Sequence, residues 1–310
     1  MKILVTPASF KQGASPSVMD ALKKFADDLV FNTKGKPLTE DELIAALKGC
    51  DGCIAGLDPF TRKVIESADT LKVISRYGTG IDNVDIAAAG EKGIAVCRTP
   101  GVNSQAVAEL SIAFMLCLAR QVPMLDRKTR EGNWVRSVGI ELHEKTLGIL
   151  GLGAVGKKTA RIASGFSMTV LACDPGIDKN YAQDNGIRPV DFDTLLRESD
   201  FLSLHLPLKP DTRHIMSAET MRRMKKGAII INTARGGLID EAAACDLIKS
   251  GHLAGLGLDV YEEEPPHNSP LFGLENVVFT PHTAAHTAEA TAGMASMSVE
   301  NLVNAFTKSK

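Results

Sequence analysis

The chain has 310 residues, a formal net charge of −2, 44% hydrophobic residues and 23% charged residues. This length can hold two domains with substantial cores, and the near-neutral charge argues against nucleic acid or an anionic membrane as a bulk partner. No signal-peptide pattern opens the sequence, and no apolar run approaches the roughly 20 residues of a membrane span. Together with six scattered cysteines, these features predict a cytoplasmic protein.

The first hundred residues alternate short apolar runs with longer amphipathic ones. The candidate strands are KILV, GCIA, KVISR and IAVC. The candidate helices include SVMDALKKFADDL and TEDELIAALKG, the second of which opens on a Thr-x-x-Glu capping pattern. Strands that alternate with helices predict crossover connections and a parallel sheet.

Cys50 and Cys53 form a C-x-x-C pair in this region. A redox or zinc site requires a second cysteine pair or a thioredoxin-like context, and the sequence offers neither. We therefore favour the alternative, in which the pair marks a loop that enters the buried strand GCIA.

The rest of the chain predicts a second α/β series. A long helix, NSQAVAELSIAFMLCLAR, is followed by six candidate strands, TLGIL, TVLAC, FLSLH, AIIIN, AGLGL and VVFT. Six strands at this spacing fit one complete doubly wound sheet. A last helix is predicted over about residues 287–306, so the fold class is α/β with doubly wound parallel sheets.

A glycine-rich turn follows the first strand of this second series. Gly151, Gly153 and Gly156 form G-x-G-x-x-G, with Ala154 and Val155 between the last two glycines. The first glycine permits a tight turn, the second lets a pyrophosphate approach the backbone, and the third lets helix and strand pack closely. The N–H groups of the next helix favour phosphate binding. The alternative is a turn without a ligand.

Asp174 ends the next strand, about twenty residues after the glycines, where an acid accepts hydrogen bonds from the adenosine ribose. A carboxylate there repels a 2′-phosphate, and Pro175, Gly176 and Ile177 offer no arginine to bind one. The motif therefore predicts NAD rather than NADP as the cofactor.

Three polar residues follow later strands of the same series. Arg235 follows AIIIN, Glu264 closes the run LDVYEEE, and His282 follows VVFT. Because ligands of such sheets bind at the carboxyl ends of the strands, we expect the three side chains to converge there. The alternatives are a surface cap for Arg235, a solvated acid for Glu264 and an ordinary loop residue for His282.

His282 and His286 lie four residues apart, a spacing that suits zinc only on one helical face with a third ligand. Pro281 argues against a helix that runs through His282. We therefore predict no metal site here.

Six motifs in this order resemble the D-2-hydroxyacid dehydrogenases, and within that family they look most like phosphoglycerate dehydrogenases. They are RYGTGIDNVD, NSQAVAEL, LGILGLGAVG, NTARGGLIDE, LDVYEEEPP and TPHTAAHT. The resemblance runs from about residue 50 to the end of the chain. It implies a Rossmann NAD-binding domain over residues 101–285 and a flavodoxin-like substrate domain over residues 1–100 and 286–310. It also implies a homodimer joined through the NAD-binding domains, an active site in the cleft between the two domains, and a short form without a regulatory domain.

The family also implies roles for single residues. His282 would be the acid–base group, Glu264 would hold its imidazole, and Arg235 would grip the substrate carboxylate. Backbone N–H groups around Gly78 would bind the same carboxylate. The residues that would lie along NAD, besides the glycine turn and Asp174, are His205, Pro207, Thr212, Thr233 and Asp259.

The substrate implied is a small anionic D-2-hydroxy acid, with 3-phosphoglycerate of serine biosynthesis as the first choice. Arg76 and Arg136 match arginines that phosphoglycerate dehydrogenases place near the phosphate, the second from the partner subunit. The alternative is that both are solvated or ion-paired surface groups, because the run GLDPF lacks the arginine usual after its strand. Glyoxylate or hydroxypyruvate reduction is the second choice, and an NAD-responsive binding role like that of the C-terminal-binding-protein corepressors is the third.

Overall fold

The computed structural model describes residues 1–308, which form two compact units. The first unit contains residues 1–103 and the chain from Ala285 onward, and the second contains Ser104–Ala284. These junctions lie near the predicted domain bounds.

The first unit is built on a five-stranded parallel sheet with the strand order β2-β1-β3-β4-β5. Its strands are β1 (Lys2–Val5), β2 (Asp28–Phe31), β3 (Gly52–Ala55), β4 (Val73–Arg76) and β5 (Ala95–Cys97). Its helices are α1 (Phe10–Gly13), α2 (Pro16–Phe25), α3 (Glu40–Leu47), α4 (Arg62–Ser67), α5 (Ile86–Glu91) and the C-terminal α13 (Ala288–Lys308).

The second unit is built on a seven-stranded parallel sheet with the order β12-β11-β10-β9-β6-β7-β8. Its strands are β6 (Thr146–Leu150), β7 (Thr169–Cys173), β8 (Ile187–Pro189), β9 (Phe201–Leu204), β10 (Ala228–Asn232), β11 (Leu253–Leu258) and β12 (Val277–Phe279). Its helices are α6 (Ser104–Ala119), α7 (Val122–Arg130), α8 (Ala154–Ser164), α9 (Lys179–Asp184), α10 (Phe192–Glu198), α11 (Ala218–Arg222), a short 3₁₀ turn (Gly236–Leu238) and α12 (Glu241–Lys249).

The two parallel sheets confirm the predicted fold class, but two strands were missed. The predicted helix SVMDALKKFADDL ends at Phe25, and the chain then turns into β2. The strand β8 was not predicted at all. Both lie at an edge of their sheet. Each sheet therefore has one strand more than predicted, five instead of four and seven instead of six. The capping box of Thr39 and Glu42 at the start of α3 confirms the predicted helix start.

Side chains of the central strands alternate between two hydrophobic cores in the second unit. Ile229 and Ile231 of β10 pack into one cluster, and Ile230 packs into the other. Because successive side chains of a strand point to opposite faces, helices must cover both faces of this sheet. All five residues of β10 are buried, which explains its continuous apolar run.

The most apolar helix, α6, is largely buried against this sheet. Within residues 1–308 no single helix is long and apolar enough to cross a membrane, and α6 and α7 reach that length only as a pair bent by 61°.

Candidate active site

The glycine turn between β6 and α8 has the geometry that its sequence predicts. Gly151 has a φ of +98°, and a Cβ there would lie 2.7 Å from the carbonyl oxygen of His205. A Cβ on Gly156 would lie 2.2 Å from the carbonyl oxygen of Gly151. Both positions therefore require glycine. By contrast, nothing lies within 4 Å of a Cβ built on Gly153, which is the N-cap residue of α8.

This open space in front of α8 is where a dinucleotide of this fold places its pyrophosphate, because the first helical N–H groups point into it. Asp174 follows β7 and closes the same corner. Its carboxylate accepts hydrogen bonds at 2.7 Å from the backbone N–H groups of Leu152 and Gly176. The two bonds fix the orientation of an acid that has further lone pairs for ribose hydroxyls. The residues present therefore fit a bound NAD.

The remaining residues expected along the cofactor follow β9 and β10. His205 lies directly after β9, its ring 3.0 Å from the hydroxyl of Ser203, and burial lowers the pKa of its imidazole to about 4. Thr212 donates to the carbonyl of the exposed Pro207 at 2.8 Å and so shapes the loop after His205. Thr233 is buried, and its hydroxyl lies 2.9 Å from that of Ser111. Contact of these residues with NAD stays a prediction.

Glu264 and His282 are brought together. The Nδ1 atom of the His282 ring lies 2.7 Å from Oε2 of Glu264, and the two side chains are 31% and 33% exposed. The pair is thus partly buried but reachable, as an acid–base group must be. His282 has a φ of +50°, a left-handed conformation that costs a non-glycine residue roughly 1–2 kcal/mol.

Arg235 contributes to the charge balance of this pair. Burial alone would raise the pKa of Glu264, but the hydrogen bond and charge of His282, the N–H of Tyr261 and the charge of Arg235 together hold it below its usual value. Glu264 is therefore ionised at neutral pH and able to orient the imidazole. Arg235 follows β10, and its guanidinium donates to the carbonyl of Ala234 at 2.6 Å.

Asp259 directly follows β11 and is fully buried. One carboxylate oxygen accepts the hydroxyl of Thr280 at 2.6 Å and the N–H of Thr283 at 2.7 Å, and the other accepts the N–H of Ala284 at 2.9 Å. Burial raises the pKa of this carboxyl. Asp259 thus binds the loop that carries His282, a role that the sequence did not indicate.

The residues expected to hold substrate belong in part to the first unit. Arg76, the last residue of β4, is only 5% exposed, so the alternative of a solvated surface group is wrong for it. Its guanidinium donates to the carbonyls of Ala55 and Tyr77 at 3.1 and 2.9 Å and to the side chain of Asn83 at 3.2 Å. A Cβ on Gly78, whose φ is +151°, would lie 3.2 Å from this guanidinium. Arg76 therefore braces the Y-G-T-G segment.

Arg136 lies in the exposed segment after α7, in the second unit. His286 belongs to the first unit, whereas His282 belongs to the second. The described part of the chain, residues 1–308, contains no group of three or more histidine, cysteine, aspartate or glutamate side chains placed to hold a metal ion. Cys50 and Cys53 are free and buried, and burial raises the pKa of both thiols.

A second histidine–glutamate pair was not predicted. His214 also has a left-handed backbone, with a φ of +49°, and its Nε2 atom contacts the carboxylate of Glu262. Tyr261 was missed as well. Its backbone N–H donates to Glu264, and its hydroxyl donates to the carbonyl of Thr280, two residues before His282. No local pattern marks the contacts of His214 with Glu262 and of Tyr261 with Thr280, because each joins residues of different loops.

Known proteins share the sequence motifs and the fold of this chain. A model of the family "D-isomer specific 2-hydroxyacid dehydrogenase, NAD binding domain" matches residues 112–284. A D-3-phosphoglycerate dehydrogenase of Archaeoglobus fulgidus is 46% identical over 98% of this chain and 57% of its own length. A glyoxylate reductase of Korarchaeum cryptofilum is 40% identical over 86% of this chain and 83% of its own length.

A solved D-lactate dehydrogenase from Aquifex aeolicus, complexed with NAD and lactic acid, superposes with a TM-score of 0.85 at 29% identity, covering 99% of this chain and 96% of that one. The chain spans about half the length of the curated phosphoglycerate dehydrogenases that it matches. The chain belongs to the D-isomer specific 2-hydroxyacid dehydrogenase family and contains its NAD-binding domain.

Proposed function

We propose that the chain is an NAD-dependent oxidoreductase that interconverts a small anionic D-2-hydroxy acid and its 2-oxo acid. The observation that carries this proposal is the contact between His282 and Glu264, with the charge of Arg235 acting on it, at the carboxyl ends of a sheet whose glycine turn fits NAD. The family and the relatives with this chemistry in their names support it.

The residues divide the chemistry among them. Nδ1 of His282 faces Glu264, so Nε2 is the ring nitrogen that would take the hydroxyl proton when the acid is oxidised and return it to the carbonyl oxygen in reduction. A nicotinamide bound beside it would accept or supply the hydride at the substrate carbon. Arg235 would bind the substrate carboxylate through two parallel hydrogen bonds and polarise the carbonyl.

We propose 3-phosphoglycerate as the first candidate substrate, oxidised to 3-phosphohydroxypyruvate in serine biosynthesis, in the cytoplasm. Phosphoglycerate dehydrogenases are among the most similar curated relatives, and Arg136 is an exposed cation of the type that binds phosphate. A dianionic phosphate needs such cations because burying it unpaired is costly.

One observation favours a second candidate, reduction of glyoxylate or hydroxypyruvate. Arg76 is buried and donates to carbonyls of its own unit, and the loop after β3 carries an acid, Asp58, rather than a cation. Asp58 is itself buried and accepts the N–H of Leu38 at 2.7 Å. Arg76 is thus engaged within its own unit, and Asp58 brings a negative charge where a phosphorylated substrate would require a positive one.

Initial rates on a substrate panel separate these candidates. With NAD, the first candidate predicts that 3-phosphoglycerate is oxidised with a much higher kcat/KM than D-glycerate or glycolate. Arg136→Ala should then lower kcat/KM roughly ten- to a hundredfold for the phosphorylated acid alone, since a hydrogen bond between charged groups contributes about 1.5–3 kcal/mol. Arg130→Ala is the matched control, because Arg130 is an exposed arginine paired with Asp126.

Equal use of D-glycerate, or an Arg136→Ala variant without selective loss, would move the proposal to the second candidate. A wild-type protein that binds NADH tightly but turns over none of these acids would instead favour the NAD-responsive binding role.

For the cofactor we propose a preference for NAD over NADP, set by Asp174. Asp174→Ala should weaken NADH binding and narrow the preference, because charge-assisted hydrogen bonds of about 1.5–3 kcal/mol each are lost. Fluorescence titration with NADH and NADPH measures both constants. Equal affinity of the wild-type protein for the two cofactors would contradict the proposal.

For the assembly we propose a homodimer through the second unit. Trp134 and Val138 are 82% and 95% exposed, and Val122 and Leu116 add further exposed apolar surface in the same unit. An apolar surface of this kind is typical of an interface with another chain. Light scattering should give twice the mass of the chain, and Trp134→Glu should shift the population towards the monomer.

A further inference from the structure

We propose that Tyr261 is a positioning residue that holds the acid–base histidine in place through the loop that carries it. This inference rests on the roles proposed above for His282 and Glu264. The loop, residues 280–284, is called the histidine loop below.

The histidine loop needs to be held because His282 has a left-handed backbone, which a histidine does not favour on its own. Such conformations persist where the surrounding contacts over-determine them. The N–H of His282 donates to the carbonyl of Asp259 at 2.9 Å, which ties the residue itself to the end of β11.

The part of the loop after His282 is held by one side chain. The buried carboxylate of Asp259 accepts the N–H groups of Thr283 and Ala284 at 2.7 and 2.9 Å. The same carboxylate accepts the hydroxyl of Thr280. The N–H of Thr280 donates to the carbonyl of Leu258 at 2.9 Å, and the Thr280 carbonyl accepts the N–H of His282 at 3.1 Å. That carbonyl, which precedes Pro281 and His282, has a second lone pair for a further donor.

Tyr261 holds that carbonyl. Its hydroxyl donates to the Thr280 carbonyl oxygen at 2.7 Å, and its backbone N–H donates to Oε1 of Glu264 at 3.2 Å. Glu264 in turn contacts His282 through its other oxygen. One residue therefore fixes both halves of the pair, the carboxylate by its main chain and the approach to the imidazole by its side chain.

The hydroxyl is suited to this task. Tyr261 is 7% exposed, and burial together with the charges of Asp259, Glu264 and Glu241 raises the pKa of its phenol to about 12. The hydroxyl thus keeps its proton as a donor at neutral pH. The ring stacks on Phe279 with centroids 6.3 Å apart, a contact that phenylalanine at position 261 would retain.

Tyr261→Phe therefore removes the hydroxyl and keeps the ring. The hydroxyl lies 2.7 Å from the Thr280 carbonyl oxygen and 3.4 Å from that of Leu258. Without it the Thr280 carbonyl keeps only the bond from the N–H of His282, so the loop gains freedom and the imidazole spends less time in the reactive position. Turnover depends on that position to within about an ångström, whereas NAD binding at the glycine turn does not. The expected result is a kcat lower by roughly three- to tenfold, with the Kd for NADH and the KM for the substrate unchanged.

The experiment compares Tyr261→Phe with Tyr181→Phe. Tyr181 also donates its hydroxyl to a carbonyl, that of Lys157 at 3.4 Å, but it packs against the other core cluster of the unit. Besides kcat, KM and Kd, amide hydrogen exchange measured by NMR reports the Thr283 and Ala284 N–H groups directly. Both amides should exchange faster in Tyr261→Phe and at the wild-type rate in Tyr181→Phe.

Suppose that the wild-type protein is active but Tyr261→Phe has the same kcat, or the same exchange rates at Thr283 and Ala284. This result would overturn the inference and leave the proposed function in place. Loss of NADH affinity in proportion to kcat would overturn it as well, because a general loosening of the unit would then explain the loss. A wild-type protein inactive on every acid of the panel would overturn the proposed function and the inference together.

Discussion

Two histidine–glutamate pairs share one run of three acids, yet only one pair is proposed to perform chemistry. His282 contacts Glu264 and His214 contacts Glu262, both histidines have a φ near +50°, and the four side chains are between 31% and 35% exposed. Backbone conformation and exposure therefore do not distinguish the pairs. The residues around each pair do distinguish them. A functional site is therefore recognised by the residues that surround a histidine–glutamate pair rather than by the pair alone.

Two differences set the pairs apart. His282 follows β12 at the carboxyl end of the sheet, with the charge of Arg235 acting on its glutamate, whereas His214 lies in the loop before α11. His282 turns Nδ1 to its glutamate, whereas His214 turns Nε2 to its own. The two imidazoles consequently present different nitrogens to their surroundings.

The largest expected effect comes from removing each imidazole. His282→Ala should lower kcat by about 10²–10⁴, the usual loss for a general acid–base group, while the Kd for NADH stays unchanged. His214→Ala should change kcat by less than about twofold, because its ring only supports Glu262. Steady-state kinetics and NADH titration of the two variants test this directly. Comparable losses in both would mean that the two pairs were assigned wrongly.

A third histidine sharpens the contrast, because its partner is a hydroxyl instead of a carboxylate. The pKa of His205 is lowered to about 4 by burial, so the unfolded chain takes up a proton below about pH 6.5 while the folded chain does not. The free energy of unfolding should therefore decrease as the pH is lowered from about 6.5 to about 4. At pH 5 the contribution of His205 to this decrease is roughly 2 kcal/mol.

Replacing His205 by Asn should remove that share of the pH dependence. Urea unfolding without cofactor at pH 7.5 and pH 5 measures it, and the exposed His143, replaced in the same way, serves as the control. An identical fall in stability for the wild-type and His205→Asn proteins would show that the burial of His205 has no such energetic effect.

The smallest effect is expected from changing each glutamate to its neutral amide. Glu264→Gln should lower kcat by roughly three- to tenfold, because the hydrogen bond between Nδ1 of His282 and Oε2 of Glu264 loses its charged acceptor. Glu262→Gln should leave kcat within about twofold of the wild-type value. Steady-state kinetics of the two variants is the measurement, and equal losses of kcat in both would erase the distinction between the pairs.

The sequence predicted the glycine turn, Asp174 and the central strands because each is a local pattern. Gly156 is required by a contact within its own turn and Gly151 by a contact with His205, which follows the neighbouring strand β9. The strand β10 is an unbroken apolar run because both of its faces are buried. The convergence of Glu264 and His282 was expected because both follow strands whose carboxyl ends meet at one edge, whereas their direct contact was implied only by the family resemblance.

The missed elements lack such patterns for physical reasons. The strand β2 directly follows the amphipathic run of α2, so the predicted helix extended into it, and only one of the three residues of β8 is buried, so β8 forms no apolar run. The burial of Arg76 depends on the Ala55 carbonyl of a neighbouring strand, which only the folded sheet brings within reach. The hydroxyl bond of Tyr261 likewise spans two loops.

The position of β12 in the sheet has a consequence for the thermal inactivation of the protein. It is three residues long, pairs only with β11, and forms one edge of the seven-stranded sheet, while the histidine loop follows it directly. Edge segments with few partners open at a lower free energy than the central strands. Warming should therefore release β12 and misplace His282 before the glycine turn and the central strands are lost. Thermal inactivation would then set in below the temperature of global unfolding, and cooling would restore the activity.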